Sequence, residues 1–155
     1  MEDLKTEVVV KTFDELSAAE VYNILRLRSE VFVVEQECPY PDADGNDFDA
    51  VHLYISVEDE IAAYCRVLKP GVVFPSVAIG RVVTRKKYRG FGHARRLMGC
   101  AFAYVKNEMN EKKIMISAQA YLKRFYGSLG FDVVSEDYLE DGIPHCDMLY
   151  CAHCE

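Results

Sequence analysis

Between residues 82 and 105 a strand, a glycine turn and a helix follow one another directly, and that succession constrains this chain more than any other feature. Val82-Val83-Thr84 reads as a strand end, and Leu97, Met98, Ala101, Phe102 and Val105 recur at helical spacing. Between them lies Arg89-Gly90-Phe91-Gly92-His93-Ala94. Two glycines allow a turn tight enough for several backbone N–H groups to converge on one anion. The helix N-terminus adds unpaired N–H groups and a partial positive charge. Such a turn binds phosphate, and Arg89 supplies a charged donor.

Charge segregates around the turn. No Asp or Glu occurs from Ile61 to Asn107, yet that window holds ten of the 18 basic residues: Arg66, Lys69, Arg81, Arg85, Lys86, Lys87, Arg89, Arg95, Arg96 and Lys106. All 25 acidic residues lie outside it, in a chain of net charge −7. An acid-free segment around a glycine turn suits a polyanion. Elimination narrows which one. No G-x-x-x-x-G-K-[ST] run exists, and Arg95 stands where the third glycine of a dinucleotide fingerprint belongs. Nucleic acid fits poorly with a pI near 5.1 and no nucleic-acid motif.

Arg89, Gly92 and Ala94 fill the three fixed positions of the Q/R-x-x-G-x-G/A acetyl-CoA signature, and the chain resembles the GCN5-related N-acetyltransferase (GNAT) superfamily. Ile79-Gly80-Arg81-Val82-Val83-Thr84 resembles the family's fourth strand, and Tyr126-Gly127-Ser128-Leu129-Gly130-Phe131 its Y-x-x-x-G-F segment. Leu25–Arg28, Val31–Gln36, Ser117–Ala120 and Tyr138–His145 together resemble the bacterial ElaA-like branch. The resemblance implies acetyl-CoA as co-substrate. Val82, Val83 and Thr84 would offer backbone groups to the pantetheine arm and one N–H to the thioester carbonyl. Arg89, Gly90, Phe91, Gly92, His93 and Ala94 would take the pyrophosphate. Thr84 replaces a frequent aliphatic residue and Lys86 a frequent proline, and neither change removes a backbone contact.

With 155 residues, half of them hydrophobic and no linker or repeat, the chain is expected to form one domain over residues 1–155. No apolar leader or membrane-length apolar run is present, so a cytoplasmic enzyme with its six cysteines reduced is expected. Ser17-Ala18-Ala19-Glu20 reads as a capping box opening a helix with Val21, Ile24, Leu25, Val31 and Phe32 on its buried side. Residues 35–49 read as loop. Strands are expected at Val8–Val10, Val51–Val57, Ile61–Leu68, Val77–Thr84, Ile114–Ser117, Phe131–Val134 and Cys146–Cys151, with helices to Asn107 and over Tyr121–Leu129. That order implies an α+β fold: a single GNAT-type domain with a mixed, mostly antiparallel sheet of six or seven strands and helices on both faces.

Acyl transfer from a thioester to an amine needs a stabilised oxyanion, a neutral amine and a proton for the departing thiolate. Tyr126 is the candidate donor, since a phenol is protonated at neutral pH. Its competing role is core packing, for which Phe125 is the better candidate. Glu35, at a helix end, and His145, closing the Asp-Gly-Ile-Pro-His turn, are candidate bases; ordered water is the alternative. Acid gathers in two segments, at Glu35, Glu37, Asp42, Asp44, Asp47 and Asp49, and at Glu136, Asp137, Glu140 and Asp141. If both rim the acceptor side, they favour a cationic amine such as a polyamine, an aminosugar or an amino-acid-like molecule. Arg66 and Arg81 fit either an anionic part of the acceptor or ion pairing between strands.

No metal is assigned. Asp42–Asp47 resembles a calcium loop, but its glycine comes too early and the twelfth position is Leu53. Cys151-Ala152-His153-Cys154, with His145 and Cys146, lacks a second C-x-x-C. The sequence thus points to direct acetyl transfer onto a primary amine of a small molecule, with no nucleic-acid or membrane partner; homodimers are common among similar proteins. The competing readings are an acetyltransferase of protein lysines or N-termini and a non-catalytic acyl-CoA sensor.

Overall fold

The computed structural model describes residues 5–152. Strand β1 (Thr6–Thr12) leads through a 3₁₀ turn to α1 (Ala18–Arg28), which continues without a break into a π-helical segment, Ser29–Glu35. A hairpin of β2 (Val51–Val57) and β3 (Glu60–Leu68) follows, then β4 (Val77–Thr84), α2 (His93–Asn107) and β5 (Lys113–Gln119). A short α3 (Lys123–Ser128) precedes β6 (Asp132–Val133), β7 (Tyr138–Glu140) and β8 (Ile143–Cys151).

Local chemistry accounts for the boundaries. Ser17 Oγ accepts from the Glu20 N–H at 3.1 Å while Glu20 Oε1 accepts from the Ser17 N–H at 2.9 Å, the reciprocal cap expected at α1. Glu58 and Asp59 both take positive φ, the condition for a two-residue turn matched to strand twist between β2 and β3.

Among the described residues eight strands form one sheet in the order β1-β2-β3-β4-β5-β8-β6, with β7 also on β8. Neighbours are antiparallel except β4 and β5. Strand β7 is the one sequence periodicity missed: its three residues are all exposed, so no buried face marked it. Residues 35–49 are likewise not loop throughout, since the π-helical segment ends at Glu35 and a 3₁₀ turn covers Asn46–Asp49.

Helices cover both faces. Leu97, Met98, Ala101 and Val105 of α2 pack with Tyr126 and Phe131 onto Leu53, Ile55, Cys65, Val67, Ile114 and Ile116. On the opposite face Ile24, Leu27 and Val31 pack onto Tyr54, Tyr64 and Val83. With both faces covered, β2 and β3 are near-continuous apolar runs, which is why sequence alone located them. Among the described residues no helix is long and apolar enough to cross a membrane.

Candidate active site

Strands β4 and β5 pair through only two residues each, Val77 with Ile114 and Ala78 with Met115. Beyond them the strands diverge and leave a wedge in the middle of the sheet. Strand β4 also bulges against β3: Tyr64 faces Val83 and Arg66 faces Gly80, so β4 carries one extra residue. Arg81 inside the bulge has φ +52°, a left-handed conformation rare for a side-chain-bearing residue. The wedge opens into a cleft of about 1090 Å³ lined by Ile79–Thr84, Ile116–Gln119 and Tyr126. The β4 edge from Ile79 onward therefore faces the cleft without a strand partner.

The glycine turn closes one end of the wedge. Gly90 and Gly92 have φ +88° and +81°, and Gly92 is the N-cap of α2. No side chain caps α2 and its first turn contains no acid, whereas α1 is capped by its own Ser17 and Glu20. The α2 N-terminus thus keeps its N–H groups and its partial charge available to an external anion. A Cβ built at Gly92 or Gly90 meets nothing within 4 Å, so the surface above the turn is open. Arg89 and Ala94 line the cleft, and Phe91 lies on the surface, 73% exposed.

Arg89 already has an anion. Its Nη1 and Nη2 donate to the two Glu35 carboxylate oxygens at 2.7 and 3.0 Å, and Nε donates to the Thr84 carbonyl at 3.0 Å. Two residues assigned to separate tasks from sequence, phosphate donor and base, therefore meet as a bidentate pair. The next residue, Gln36, exchanges two 3.1 Å amide hydrogen bonds with Gln119 at the end of β5. The end of the π-helical segment thus spans the wedge from the turn to β5.

Tyr126 lies on α3 and lines the cleft, but it is buried, 6% exposed, against Phe125 and Phe131. Sequence reasoning assigned the core position to Phe125. The structure reverses this: Phe125 is only partly buried and carries the Arg95 guanidinium 5.7 Å above its ring. The Tyr126 hydroxyl makes no hydrogen bond with any described residue and is not sealed from the cleft. Burial first, then the neighbouring Cys65 and Tyr121, push its pKa upward, so the phenol keeps its proton.

The opposite wall comes from β5, β7 and β8. Ser117 faces Asp147 and Gln119 faces His145 across β5 and β8. Tyr138 donates to Asp147 at 2.6 Å and is hydrogen-bonded to Ser117; burial and then Asp147 push this phenol up to about 12. His145 Nδ1 lies 2.7 Å from the Ile143 carbonyl, so Nδ1 carries a hydrogen. In the neutral ring Nε2 is then the proton acceptor, 3.5 Å from Glu140. His145 thus lines the cleft with its ring held by a carbonyl of its own strand, β8. Asp147 escaped sequence reasoning because it sits in an apolar strand and meets Tyr138 only through β7 pairing.

A family model described as an acetyltransferase (GNAT) domain matches residues 14–151. The chain belongs to the GNAT acetyltransferase family. Protein ElaA of Escherichia coli is 43% identical over 136 residues, 86% of this chain and 89% of that protein. A Schizosaccharomyces pombe relative, UPF0039 protein C11D3.02c, is 40% identical over 92% of this chain and 95% of its own. The crystal structure of an acyl-CoA N-acyltransferase from Pseudomonas aeruginosa superposes with TM-score 0.89 at 40% identity, covering 95% of this chain and all of that one. The crystal structure of E. coli ElaA gives TM-score 0.88 at 39% identity, covering 94% and 99%. The chain is therefore an N-acetyltransferase of the ElaA-like GNAT branch, with an acyl-CoA co-substrate. Its β4 edge beyond Ala78 has no β5 partner, and its α2 N-terminus has no side-chain cap.

In this GNAT domain the first acidic segment does not rim an acceptor site with free carboxylates. Arg28, 0% exposed, donates from Nε to Asp42 at 2.8 Å and from Nη1 to Asp47 at 2.7 Å. Arg66 binds both Asp44 oxygens at 2.8 and 2.6 Å and Asp47 at 2.9 Å. Arg81 Nη2 donates to the Asp42 carbonyl at 3.0 Å, and Nε lies 2.9 Å from Asp42 Oδ1 without pointing at it. Three arginines and three aspartates thus form one charge-balanced network. Arg66 and Arg81 pair with the loop, not with neighbouring strands. The hydrogen bonds from Arg66, opposed by burial, hold the Asp44 carboxyl well below the usual carboxylate range.

The basic window is similarly diverted in part: Arg85 pairs with Glu30 and Lys87 with Glu60, both at short range. Their acidic partners lie outside the window, so the linear separation of charge could not reveal the pairing. Cys38, Cys65, Cys100, Cys146 and Cys151 are free thiols, and burial pushes the Cys65 thiol up. His153 and Cys154 lie outside the described residues; among those described, no group of three or more His, Cys, Asp or Glu is arranged to hold a metal.

Proposed function

We propose that this chain transfers an acetyl group from acetyl-CoA directly to a primary amine of a small molecule. The observation that carries this reading is the coincidence of two features: β4 parts from β5 after two residues, and the uncapped N-terminus of α2 lies at the same end of the opening. The bound co-substrate supplies an acyl group activated as a thioester. The turn from Arg89 to Ala94 receives the diphosphate through backbone N–H groups and the Arg89 guanidinium. Val82, Val83 and Thr84 present the edge for the pantetheine arm, and a backbone N–H there meets the oxygen on which negative charge develops. Removing a single such donor costs about 2.7–4 kcal/mol of barrier in oxyanion sites.

Tyr126 supplies the proton to the leaving sulfur. Its unpartnered hydroxyl on the cleft, which holds its proton at neutral pH, supports that role. For the base, His145 lines the cleft with Nδ1 committed to the Ile143 carbonyl and Nε2 left for the acceptor, whereas Glu35 becomes available only when Arg89 releases it. The carboxylates left without an arginine on the cleft wall, Glu140, Asp141 and Asp147, favour a cationic acceptor. Release of free thiol from acetyl-CoA, measured over polyamines, aminosugars, amino acids and peptides, tests the reading. Turnover on a small amine supports it. Turnover confined to peptides would assign a protein acceptor, and CoA binding without turnover on any amine would leave a sensor.

A further inference from the structure

We propose that Arg81 is a positioning residue: the acidic loop clamps its side chain so that its backbone stays left-handed and holds the bulge of β4 that shapes the co-substrate edge. This rests on the reading that Val82–Thr84 receive the pantetheine arm. The Arg81 backbone at φ +52° is the extra residue of the bulge, and pairing with β5 ends at Ala78, just before it. A bulge bends its strand and sharpens the twist, and so re-aims the residues that follow. Those residues are Val82, Val83 and Thr84.

A left-handed conformation in a residue with a Cβ persists only where its surroundings over-determine it. Here they do. The Arg81 guanidinium donates to the Asp42 carbonyl, lies within 3.4 Å of Asp44 Oδ2 and stands 5.6 Å from the Tyr40 ring centroid. Tyr40 in turn donates to Asp42 at 2.8 Å. The loop bearing these groups is itself anchored, because Arg28 from the end of α1 takes Asp42 Oδ2 and Asp47 Oδ1, and Arg66 from β3 takes both Asp44 oxygens and shares Asp47 Oδ1. His52 Nε2 adds a 2.9 Å contact to the Asp47 carbonyl. The fixed loop reaches across to the one strained residue of β4, and the segment that resembles a calcium loop is thus an arginine-binding loop.

The test compares Arg81→Ala with Arg81→Gly. Both lose every side-chain contact, but glycine adopts positive φ without a penalty and alanine does not. Read by calorimetry with CoA, Arg81→Gly is expected within threefold of the parent and Arg81→Ala at least tenfold weaker, with the KM for acetyl-CoA rising more than the KM for the amine. A gap of threefold or more between Ala and Gly supports the proposal, and a smaller gap overturns it. A merely structural Arg81 would lower the melting temperature and leave CoA affinity alike in the two folded variants. If Arg81→Ala does not fold, Asp44→Asn loosens the clamp while leaving every β4 residue unsubstituted: a threefold or greater loss of CoA affinity supports the proposal, and a smaller one overturns it. Gly92→Glu separates the two levels. If it binds CoA like the parent, the site reading fails and takes this inference with it. If it loses CoA while Ala and Gly at position 81 bind alike, the inference alone fails.

Discussion

Replacing Glu35 with Gln is expected to tighten CoA binding. The Glu35 carboxylate holds both terminal nitrogens of Arg89, and a diphosphate that recruits the guanidinium must first displace it. The side chains are 37% and 40% exposed, so the pair is screened by water and belongs among surface ion pairs worth about 0.2–1 kcal/mol. Glutamine keeps the shape and removes the charge, so that competition disappears. CoA should then bind about 1.4- to fivefold more tightly, the factor set by that energy range. Arg89 stays in place in the variant, because Nε remains on the Thr84 carbonyl. Calorimetry with CoA at low and high salt measures the effect. The gain should shrink as salt rises, since screening weakens the original pair. Equal or weaker binding by Glu35→Gln would refute the competition and would make Glu35 a support for Arg89.

Other outcomes follow from the same geometry. Tyr126→Phe should lower kcat by about a hundredfold, within the range of general acid catalysis, with CoA affinity and melting temperature nearly unchanged, because an unpartnered hydroxyl is removed from a ring that keeps its packing; full activity would remove Tyr126 from the chemistry. Gly92→Glu should abolish CoA binding in calorimetry while the chain still folds, since its new side chain enters open space above α2 and the φ of +81° costs only about 1–2 kcal/mol. Arg28→Met should destabilise the fold by about 3–5 kcal/mol in denaturant titration, because Asp42 and Asp47 lose a fully buried partner. The Asp44 carboxyl is held below its usual range, so its stabilisation is present above about pH 4 and is lost as pH falls further. The melting-temperature gap between the parent and Asp44→Asn should therefore narrow on acidification below pH 4, and a constant gap would contradict the role given to Arg66.

Some elements were legible because their signals are local. The cap of α1 needs only Ser17 and Glu20, three residues apart, and β2, β3 and β4 are apolar runs bounded by turns. The phosphate turn needs two glycines and the start of a helix. Tyr138–Glu140 was not legible as a strand, because its partner is β8 and neither face is buried. Residues 42–47 misled for a related reason: carboxylates crowded along the chain look like an exposed acidic rim, and only their neighbours in space show that Arg28, Arg66 and Arg81 neutralise them.

Along the chain, a strand, a tight glycine turn and a helix could be read to follow one another around Arg89–Ala94, since backbone sterics and helix-end charge act over a few residues. Tertiary structure alone decided that β4 would part from β5 beside that turn, that Glu35 would occupy Arg89, and that Tyr126 would be buried with its hydroxyl on the cleft. These depend on contacts between segments tens of residues apart. Periodicity and spacing carry no record of which distant charge or edge a residue will meet.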